Sequence, residues 1–172
     1  MIMTNAPRII LAAPSSGSGK TTVTIGLLQA LKKRGVRLSA FKCGPDFIDP
    51  MFHERILRVP SGNLDLFFSS PAELQRSFVH GAEGSDLSVI EGVMGYYDGW
   101  SAASDETSTY QVARALDAPV VLVLNARGQA LSALASLEGF LRFRPDHRIR
   151  GVIFNRTSEK VYRALKPEVE KM

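Results

Sequence analysis

Residues 13–22 constrain this chain more than any other stretch. They read Ala-Pro-Ser-Ser-Gly-Ser-Gly-Lys-Thr-Thr, follow an apolar run at 9–12 and open an amphipathic segment. Small residues let successive backbone N–H groups converge on phosphate oxygens, a lysine adds a positive charge, and a threonine hydroxyl reaches a metal ion held by the same phosphates. A strand, this loop and a helix in succession predict a nucleoside triphosphate site.

The match to the pattern G-x-x-x-x-G-K-[ST] is incomplete, because Pro14 stands where the first glycine belongs. A turn that only caps a helix would account for Gly17 and Gly19. It would not account for Lys20, since a cation at a helix N-terminus opposes the helix dipole unless an anion binds there. The candidate ATP-binding residues are Ser15, Ser16, Gly17, Ser18, Gly19, Lys20, Thr21 and Thr22.

The composition is that of one globular domain. Of 172 residues, 45% are hydrophobic and 22% charged, enough to bury a core. The net charge of +4 is spread along the chain, and the basic run 32–34 lies at a predicted helix end, so no nucleic acid partner is expected. Cys43 is the single cysteine, which excludes an internal disulfide and fits a reducing compartment. Without a signal core or a membrane-spanning run, we expect no membrane partner and a cytoplasmic location.

Apolar runs alternate with helical patterns along the chain, which predicts an α/β fold with a doubly wound, mainly parallel sheet flanked by helices. Residues 43–69 show little periodicity and are predicted to form a long irregular segment of functional importance. The predicted strands cover 8–13, 36–42, 87–91, 119–124 and 149–154. The predicted helices cover 19–34, a segment beginning at the capping box 70–73, and then 107–117, 130–143 and 158–171.

Two acidic loops follow the second and third predicted strands. Asp46 and Asp49 lie in Gly-Pro-Asp-Phe-Ile-Asp-Pro, whereas Glu91 ends a strand and Asp98 follows it. Carboxyl ends of parallel strands meet at one edge of the sheet, so these acids should face the phosphate loop. An alternative is that both aspartates of the first loop, and Asp98 before a glycine, only form turns.

Mg²⁺ prefers oxygen ligands and is commonly held by one or two carboxylates together with phosphates and water. The candidate metal ligands are Thr21, Asp46 and Glu91, the oxygen-bearing residues nearest the predicted strand ends. Asp49 and Asp98 lie farther out, where they would hold a second metal ion or a substrate. A turn role is weakest for Glu91, because glutamate is a poor turn residue and a buried strand does not end in an unpaired carboxylate without cause.

These blocks resemble the ATP-binding half of the cobyrinic acid a,c-diamide synthase family and, more broadly, the dethiobiotin-synthetase-like branch of P-loop proteins. The most specific block is Lys-Cys-Gly-Pro-Asp-Phe-Ile-Asp-Pro at 42–50, and the stretches 61–65, 118–127 and 151–156 agree with it. The resemblance spans nearly the whole chain. It implies a P-loop NTPase-like fold, with residues 1–172 forming a single ATP-binding amidoligase domain.

The resemblance implies an ATP-dependent ligase of cobalamin biosynthesis, with ATP and Mg²⁺ as cofactors. The γ-phosphoryl group of ATP would pass to a peripheral acetate carboxylate of a corrinoid tetrapyrrole acid, cobyrinic or hydrogenobyrinic acid, and ammonia would then displace phosphate to give the a,c-diamide. The residues implied to be catalytic are Lys20, Asp46, Asp49 and Asp98. Asn155, at the end of the fifth predicted strand, would read the adenine edge; the alternative is a turn residue that ends the strand.

Members of this family also carry a C-terminal glutaminase domain with a nucleophilic cysteine. The resemblance therefore implies a glutaminase domain as a partner, and residues 1–172 do not include it. Cys43 lies inside the Gly-Pro-Asp loop without a nucleophile-elbow pattern, and His53, His80 and His147 are interpreted as ordinary core or surface residues. The chain is therefore expected to be a fragment or one half of a split enzyme. The metal of the macrocycle, the order of amidation, homodimer formation and the role of Asn125 stay open.

Two other functions fit the phosphate loop. A dimeric switch ATPase of the septum-site or plasmid-partitioning kind would carry a second lysine at the position of Ser15. Dethiobiotin synthetase, which also activates a carboxylate, would lack the block at 44–50. The sequence therefore favours the corrinoid amidoligase over both alternatives.

Overall fold

The computed structural model describes residues 6–46 and 48–172. Within them, six strands alternate with six helices. The elements are β1 (Arg8–Ala12), α1 (Lys20–Lys33), β2 (Leu38–Cys43), α2 (Ile48–Arg55), β3 (Ser61–Leu64), α3 (Pro71–Gly81), β4 (Leu87–Glu91), α4 (Thr109–Ala115), β5 (Val120–Asn125), α5 (Leu131–Phe143), β6 (Ile149–Asn155) and α6 (Glu159–Val169).

The six described strands form one sheet in the order β3-β2-β4-β1-β5-β6, and every neighbouring pair is parallel. Strand order reverses at β1, which opens a crevice at the carboxyl ends of the strands. The predicted doubly wound α/β fold is confirmed. The predicted helices that begin near residues 19, 70, 107, 130 and 158 are found within two residues of those starts.

The sheet is buried on both faces, as a parallel sheet with crossover helices must be. Side chains alternate along β1, so that Ile10 joins the larger apolar cluster and Leu11 the smaller one. Leu28 of α1 belongs to the cluster of Leu11, whereas Phe78 of α3 packs on the side of Ile10. This two-sided packing holds the loops at the carboxyl edge in fixed relative positions.

The prediction that residues 43–69 are irregular is wrong. They contain helix α2 and strand β3, so the sheet has a sixth strand and Asn155 ends β6 instead of a fifth strand. Helix α2 lacks the usual pattern because its one fully buried residue is His53, while Ile48, Met51 and Phe52 are exposed. Strand β3 is a four-residue segment, Ser-Gly-Asn-Leu, with one buried apolar side chain. Neither element carries the hydrophobic periodicity by which helices and strands are predicted.

The predicted capping box at the start of α3 is confirmed. Ser70 Oγ accepts from the Glu73 backbone N–H, and the Glu73 carboxylate accepts from the Ser70 N–H at 2.8 Å. Across the described part of the chain, no helix is both long and apolar enough to cross a membrane.

Candidate nucleotide-binding site

The phosphate loop joins β1 to α1 at the carboxyl edge of the sheet. Gly17 and Gly19 have φ angles of 76° and 98°, a region that favours glycine. Gly19 is also crowded, because a Cβ atom there would lie 2.3 Å from Asn155 Nδ2. The loop therefore requires glycine at position 19, because a larger residue would fit neither the backbone conformation nor the space beside Asn155.

The N-terminus of α1 carries uncompensated positive character. Gly19 supplies no side-chain cap, and the first turn contains no acidic residue. Unpaired N–H groups and the helix dipole then favour an anion at this end. The serine residues of the loop lie beside it, with Ser15 Oγ 3.4 Å from Ser18 Oγ and Ser18 almost fully buried. The arrangement suits a phosphate group.

Lys20 is 8% exposed and bonds to backbone carbonyl groups. Its Nζ donates to the Met94 carbonyl at 2.6 Å and to the Ser15 carbonyl at 3.4 Å. Burial, followed by the positive charge of Lys42, lowers the pKa of Lys20. This ammonium group is held at the loop without a carboxylate in hydrogen-bond contact, so an incoming phosphate would supply the missing negative charge.

A chain of polar contacts leads from the phosphate loop to α2. Thr21 Oγ1 donates to Glu91 Oε1 at 2.5 Å, and Lys42 Nζ donates to the same oxygen at 2.9 Å. Lys42 also pairs with Asp49 Oδ2 at 2.7 Å. The structure thus brings together four residues from α1, β4, β2 and α2, of which sequence analysis had nominated Thr21, Glu91 and Asp49.

The contacts around Glu91 suit a divalent cation. Glu91 is fully buried, and its second oxygen, Oε2, has no hydrogen-bond partner, which is costly unless a ligand satisfies it. In the described residues no three His, Cys, Asp or Glu side chains are grouped to hold a metal ion by themselves. A cation at Glu91 would therefore draw its remaining ligands from Thr21, nucleotide phosphates and water.

The other two predicted acids lie elsewhere on the same edge. Asp46 Oδ1 accepts from the Ile48 backbone N–H at 2.8 Å and so caps the start of α2. Asp98 is exposed, and its Oδ2 accepts from the Gly95 N–H at 2.9 Å. Each of these carboxylates makes the local turn contact that the alternative interpretation describes. Their assignment to metal or substrate stays a prediction.

Asn155 lies directly against the phosphate loop, where its Nδ2 donates to the Ser18 carbonyl at 2.9 Å. Its backbone carbonyl accepts from the Ala126 N–H, which ties the ends of β5 and β6 together. On that neighbouring strand, Asn125 Oδ1 accepts from the Arg127 N–H at 3.2 Å. Asn155 therefore supports the loop in this structure, and its contact with adenine stays a prediction.

Lys42 was not among the predicted site residues, although it begins the specific block at 42–50. The signal was available, because Lys42 is the one charged residue of strand β2, every residue of which is buried. Although burial opposes it, the carboxylates of Glu91 and Asp49 raise the pKa of Lys42. A lysine inside a strand therefore indicated buried acids nearby.

Cys43 is 1% exposed, and burial raises the pKa of its thiol to about 12. Because the thiolate is the nucleophilic form, this residue is inert at neutral pH. The interpretation that Cys43 does not serve as a glutaminase nucleophile agrees with this environment.

Comparison with protein families matches residues 9–172 to the CbiA family, described as the CobQ/CobB/MinD/ParA nucleotide binding domain. Hydrogenobyrinate a,c-diamide synthase of Streptomyces coelicolor is 47% identical over 92% of this chain and 33% of its own length. Cobyrinate a,c-diamide synthase of Listeria innocua is 46% identical over 95% of this chain and 37% of its own length. The chain thus spans about a third of the length of these relatives.

Two solved structures share the fold at low sequence identity. The signal recognition particle receptor FtsY of Elizabethkingia anophelis matches with a TM-score of 0.59 and 18% identity, over 87% of this chain and 50% of that chain. The hydrogenase maturation factor HypB of Archaeoglobus fulgidus matches with a TM-score of 0.50 and 13% identity, over 96% of this chain and 90% of that chain. At these identities the likeness shows the P-loop NTPase fold alone.

Proposed function

This chain belongs to the CobQ/CobB/MinD/ParA nucleotide binding domain family, and we propose that it is the carboxylate-activating part of a corrinoid a,c-diamide synthase. The names of its relatives support this substrate class. The observation that carries the proposal is the contact chain Thr21–Glu91–Lys42–Asp49. It extends the phosphate loop into a row of charged side chains, next to which a second, anionic substrate would meet the γ-phosphate.

The proposed reaction has two steps. A carboxylate oxygen of the corrinoid attacks the γ-phosphorus of ATP, the bond to the bridging oxygen breaks, and ADP leaves with the electron pair. Ammonia then attacks the acyl carbon, phosphate leaves with the electrons of the C–O bond, and nitrogen loses one proton to give the amide. A carboxylate cannot expel oxide, so phosphorylation supplies the leaving group that amidation requires.

The protein's part is positioning and charge stabilisation, as is usual in phosphoryl transfer. Lys20, at the N-terminus of α1, would offset negative charge on the phosphoryl oxygens. Lys42 lies beyond Glu91 on the same edge and would attract the carboxylate substrate. Thr21 and Glu91 would hold Mg²⁺, with Asp46 as the further candidate. When bound, the metal ion neutralises charge on the phosphates.

Asp49 and Asp98 are proposed to organise the substrate side of the site. Asp49 holds Lys42 from α2, so its carboxylate fixes the direction of that ammonium group. Asp98 lies on the loop whose Met94 carbonyl anchors Lys20, and its bond to Gly95 shapes that loop. We expect Asp98→Asn to impair turnover more than ATP binding, because this carboxylate bonds the Gly95 N–H and forms no hydrogen bond with Lys20.

Ammonia is proposed to come from a glutaminase domain outside these 172 residues. The buried, protonated thiol of Cys43 cannot attack glutamine. The chain alone should therefore amidate a corrinoid with free ammonia and should not do so with glutamine. Water that reaches an exposed acyl phosphate would hydrolyse it, so ATP consumption should exceed amide formation in the isolated chain.

The test supplies the chain with cobyrinic or hydrogenobyrinic acid, Mg²⁺ and ATP, together with either ammonium or glutamine. Mass spectrometry of the corrinoid should show amidation with ammonium only, and ADP release should depend on the corrinoid. Lys20→Ala serves as the inactive control. If ADP were released at the same rate with and without the corrinoid, and no amide formed, the result would contradict carboxylate activation and favour a switch ATPase. Amidation from glutamine would show that the chain contains a second active site.

A further inference from the structure

Unsatisfied polar atoms concentrate at the β3 side of the site. Five buried side-chain nitrogen or oxygen atoms of the described residues have no hydrogen-bond partner, and four of these belong to the region around β3 and β4. The four atoms are His53 Nε2, Asn63 Oδ1, Asp65 Oδ2 and Glu91 Oε2. Buried polar atoms are normally satisfied, so such a concentration indicates that a ligand belongs there.

The sheet register places three of the polar side chains in one row. Lys42 of β2 is the direct partner of Asn63 on β3 and of Glu91 on β4. Directly paired residues of parallel strands point to the same face of the sheet, and neighbouring strands lie about 4.8 Å apart. Asn63 and Glu91 therefore flank Lys42, one on each side. The Lys42–Glu91 bond of 2.9 Å follows from this register.

Helix α2 covers this row with two side chains one turn apart. Asp49 bonds Lys42 Nζ at 2.7 Å, and His53 Nδ1 lies 3.1 Å from Ser61 Oγ. Ser61 precedes Asn63 by two residues on β3 and so shares its face. His53 is therefore held over the same strand that carries Asn63. We call His53 Nε2 and Asn63 Oδ1, with Lys42 beside them, the acceptor pocket.

Both unpartnered atoms of the acceptor pocket are hydrogen-bond acceptors in the tautomer of His53 that donates from Nδ1 to Ser61, which is the tautomer we assign. Asn63 Oδ1 is a carbonyl oxygen, and His53 Nε2 carries a lone pair when Nδ1–H donates to Ser61. His53 is fully buried, and burial lowers the pKa of its imidazole. The ring is therefore neutral at pH 7. Acceptors without donors call for a small ligand that is rich in N–H or O–H groups.

We propose that the acceptor pocket binds ammonia, the nitrogen nucleophile of the second step, an inference that rests on the proposed amidation. Ammonia has three donor hydrogens and one lone pair, whereas water has two of each. Acceptors at the pocket hold two of the hydrogens of ammonia, which leaves its single lone pair free to attack the acyl carbon. Neutral ammonia, and not ammonium, is the form that carries this lone pair, so the amount of bound nucleophile should rise with pH.

The first experiment measures the ammonia dependence of corrinoid amidation. His53→Asn keeps an amide group near the position of Nδ1 and removes Nε2, whereas His53→Gln retains a polar atom near Nε2. Asn63→Leu removes the acceptor at nearly constant size. We expect His53→Asn and Asn63→Leu to raise the KM for ammonia about tenfold, as loss of one hydrogen bond does, with the KM for ATP unchanged. His53→Gln should restore much of the loss.

Ser88→Ala is the matched control, because Ser88 is buried on β4 but bonds Ser39 at the opposite end of the strand. Its KM values should equal those of the wild type. An unchanged KM for ammonia in both His53→Asn and Asn63→Leu would overturn the ammonia site. An increase in the KM for ATP instead would also overturn it, since the residues would then only support the nucleotide site.

The second experiment does not need turnover. Thermal unfolding of the Mg·ATP-bound chain is measured at alkaline pH in ammonium chloride and in sodium chloride of equal ionic strength. Ammonia should raise the Tm of the wild type in a saturable way, and His53→Asn should lose this increase. Absence of an ammonia-specific increase would overturn the site. A specific increase without corrinoid amidation would contradict the proposed function while it supports the acceptor pocket.

Discussion

Lys20 and Lys42 are both buried at the same edge of the sheet, yet the fold compensates their charges in opposite ways. Lys42 bonds two carboxylates, Glu91 and Asp49, which raise its pKa against the effect of burial. Lys20 bonds only backbone carbonyl groups and, within the described residues, forms no ion pair, and burial lowers its pKa. One ammonium group is neutralised inside the protein, and the other is left for a ligand.

This difference separates a lysine whose charge is balanced within the protein from one whose charge is not. A buried charge without a partner costs free energy, and the phosphate loop bears that cost at Lys20. Bound phosphate would recover it as affinity. The charge of Lys42 is already balanced by Glu91 and Asp49, so a substrate carboxylate would have to compete with these two residues. On the proposed function, we therefore expect the substrate side of the site to change its contacts on binding more than the ATP side does.

The largest expected effect is loss of stability in Lys42→Met. Removing this ammonium group leaves two carboxylates close together, one of them fully buried, and breaking a buried pair in this way costs about 3–5 kcal/mol. Because the folded pKa of Lys42 lies above its ordinary value of 10.5, its contribution is complete below that pH. The contribution is lost as the pH rises through the folded pKa. Urea unfolding at neutral pH measures the difference.

The double variant Lys42→Met with Glu91→Gln is the control for this mechanism. It removes the uncompensated carboxylate and should recover part of the stability. Equal stability of Lys42→Met and the wild type would show that the buried pair does not hold β2, β4 and α2 together.

The second effect is on ligand affinity. Lys20→Met should weaken Mg·ATP binding by about 1.5–3 kcal/mol, the contribution of a charge-assisted hydrogen bond. It should lower the free energy of unfolding far less than Lys42→Met does, since only two carbonyl groups and no buried carboxylate lose their partner. Titration calorimetry measures the affinity and urea unfolding the stability. Lys33→Met is the control variant, because Lys33 is exposed at the far end of α1. A stability loss as large as that of Lys42→Met would erase the distinction between the two lysines.

The same contrast explains what the sequence could predict. The phosphate loop could be predicted because residues 15–22 are contiguous in the sequence and their strand–loop–helix setting was evident from periodicity. The acids Glu91 and Asp49 were found because they follow strands or lie in an acidic loop. The fold class followed from the alternation of buried strands with amphipathic helices.

The other half of the site depends on tertiary contacts that no local pattern encodes. Helix α2 buries His53 and exposes Ile48, Met51 and Phe52, so its hydrophobic pattern predicts no helix facing a core. Pairing of Asn63 with Lys42 depends on the short strand β3, which lacks an apolar run. The positions of His53 and Asn63 beside Lys42 are therefore known only once the register of the sheet is known.

The third effect concerns the metal ion. Glu91→Gln keeps the size of the side chain but weakens its oxygen as a cation ligand, so Mg·ATP affinity should fall about tenfold, or about 1.4 kcal/mol. Affinity for ATP without metal should change less, because Lys20 and the loop N–H groups remain. Calorimetric titrations with and without Mg²⁺ measure both. An equal loss in the two conditions would show that Glu91 acts only through Lys42.

The smallest effect tests the opposite end of the same two strands. Arg37 precedes β2 and Asp86 precedes β4, and their side chains form an exposed ion pair that mirrors the buried pair of Lys42 and Glu91. Arg37 lowers the pKa of Asp86 from 3.8 to about 2. Because solvent and salt screen exposed charges, Asp86→Asn should cost far less stability than Lys42→Met.

The pH dependence of this small effect has a definite sign. A carboxyl group whose folded pKa is depressed contributes stability above its unfolded pKa and loses it as the pH falls towards the folded value. The difference between the wild type and Asp86→Asn should therefore be constant well above pH 3.8, where the carboxyl group is ionised in both states, and should shrink as the pH falls through 3.8 towards about 2. Urea unfolding across this range, at low and high salt, measures it. A loss of stability as large as that of Lys42→Met, or one that does not change with salt, would contradict this prediction. It would show that exposure to solvent does not explain the different strengths of the Arg37–Asp86 and Lys42–Glu91 pairs.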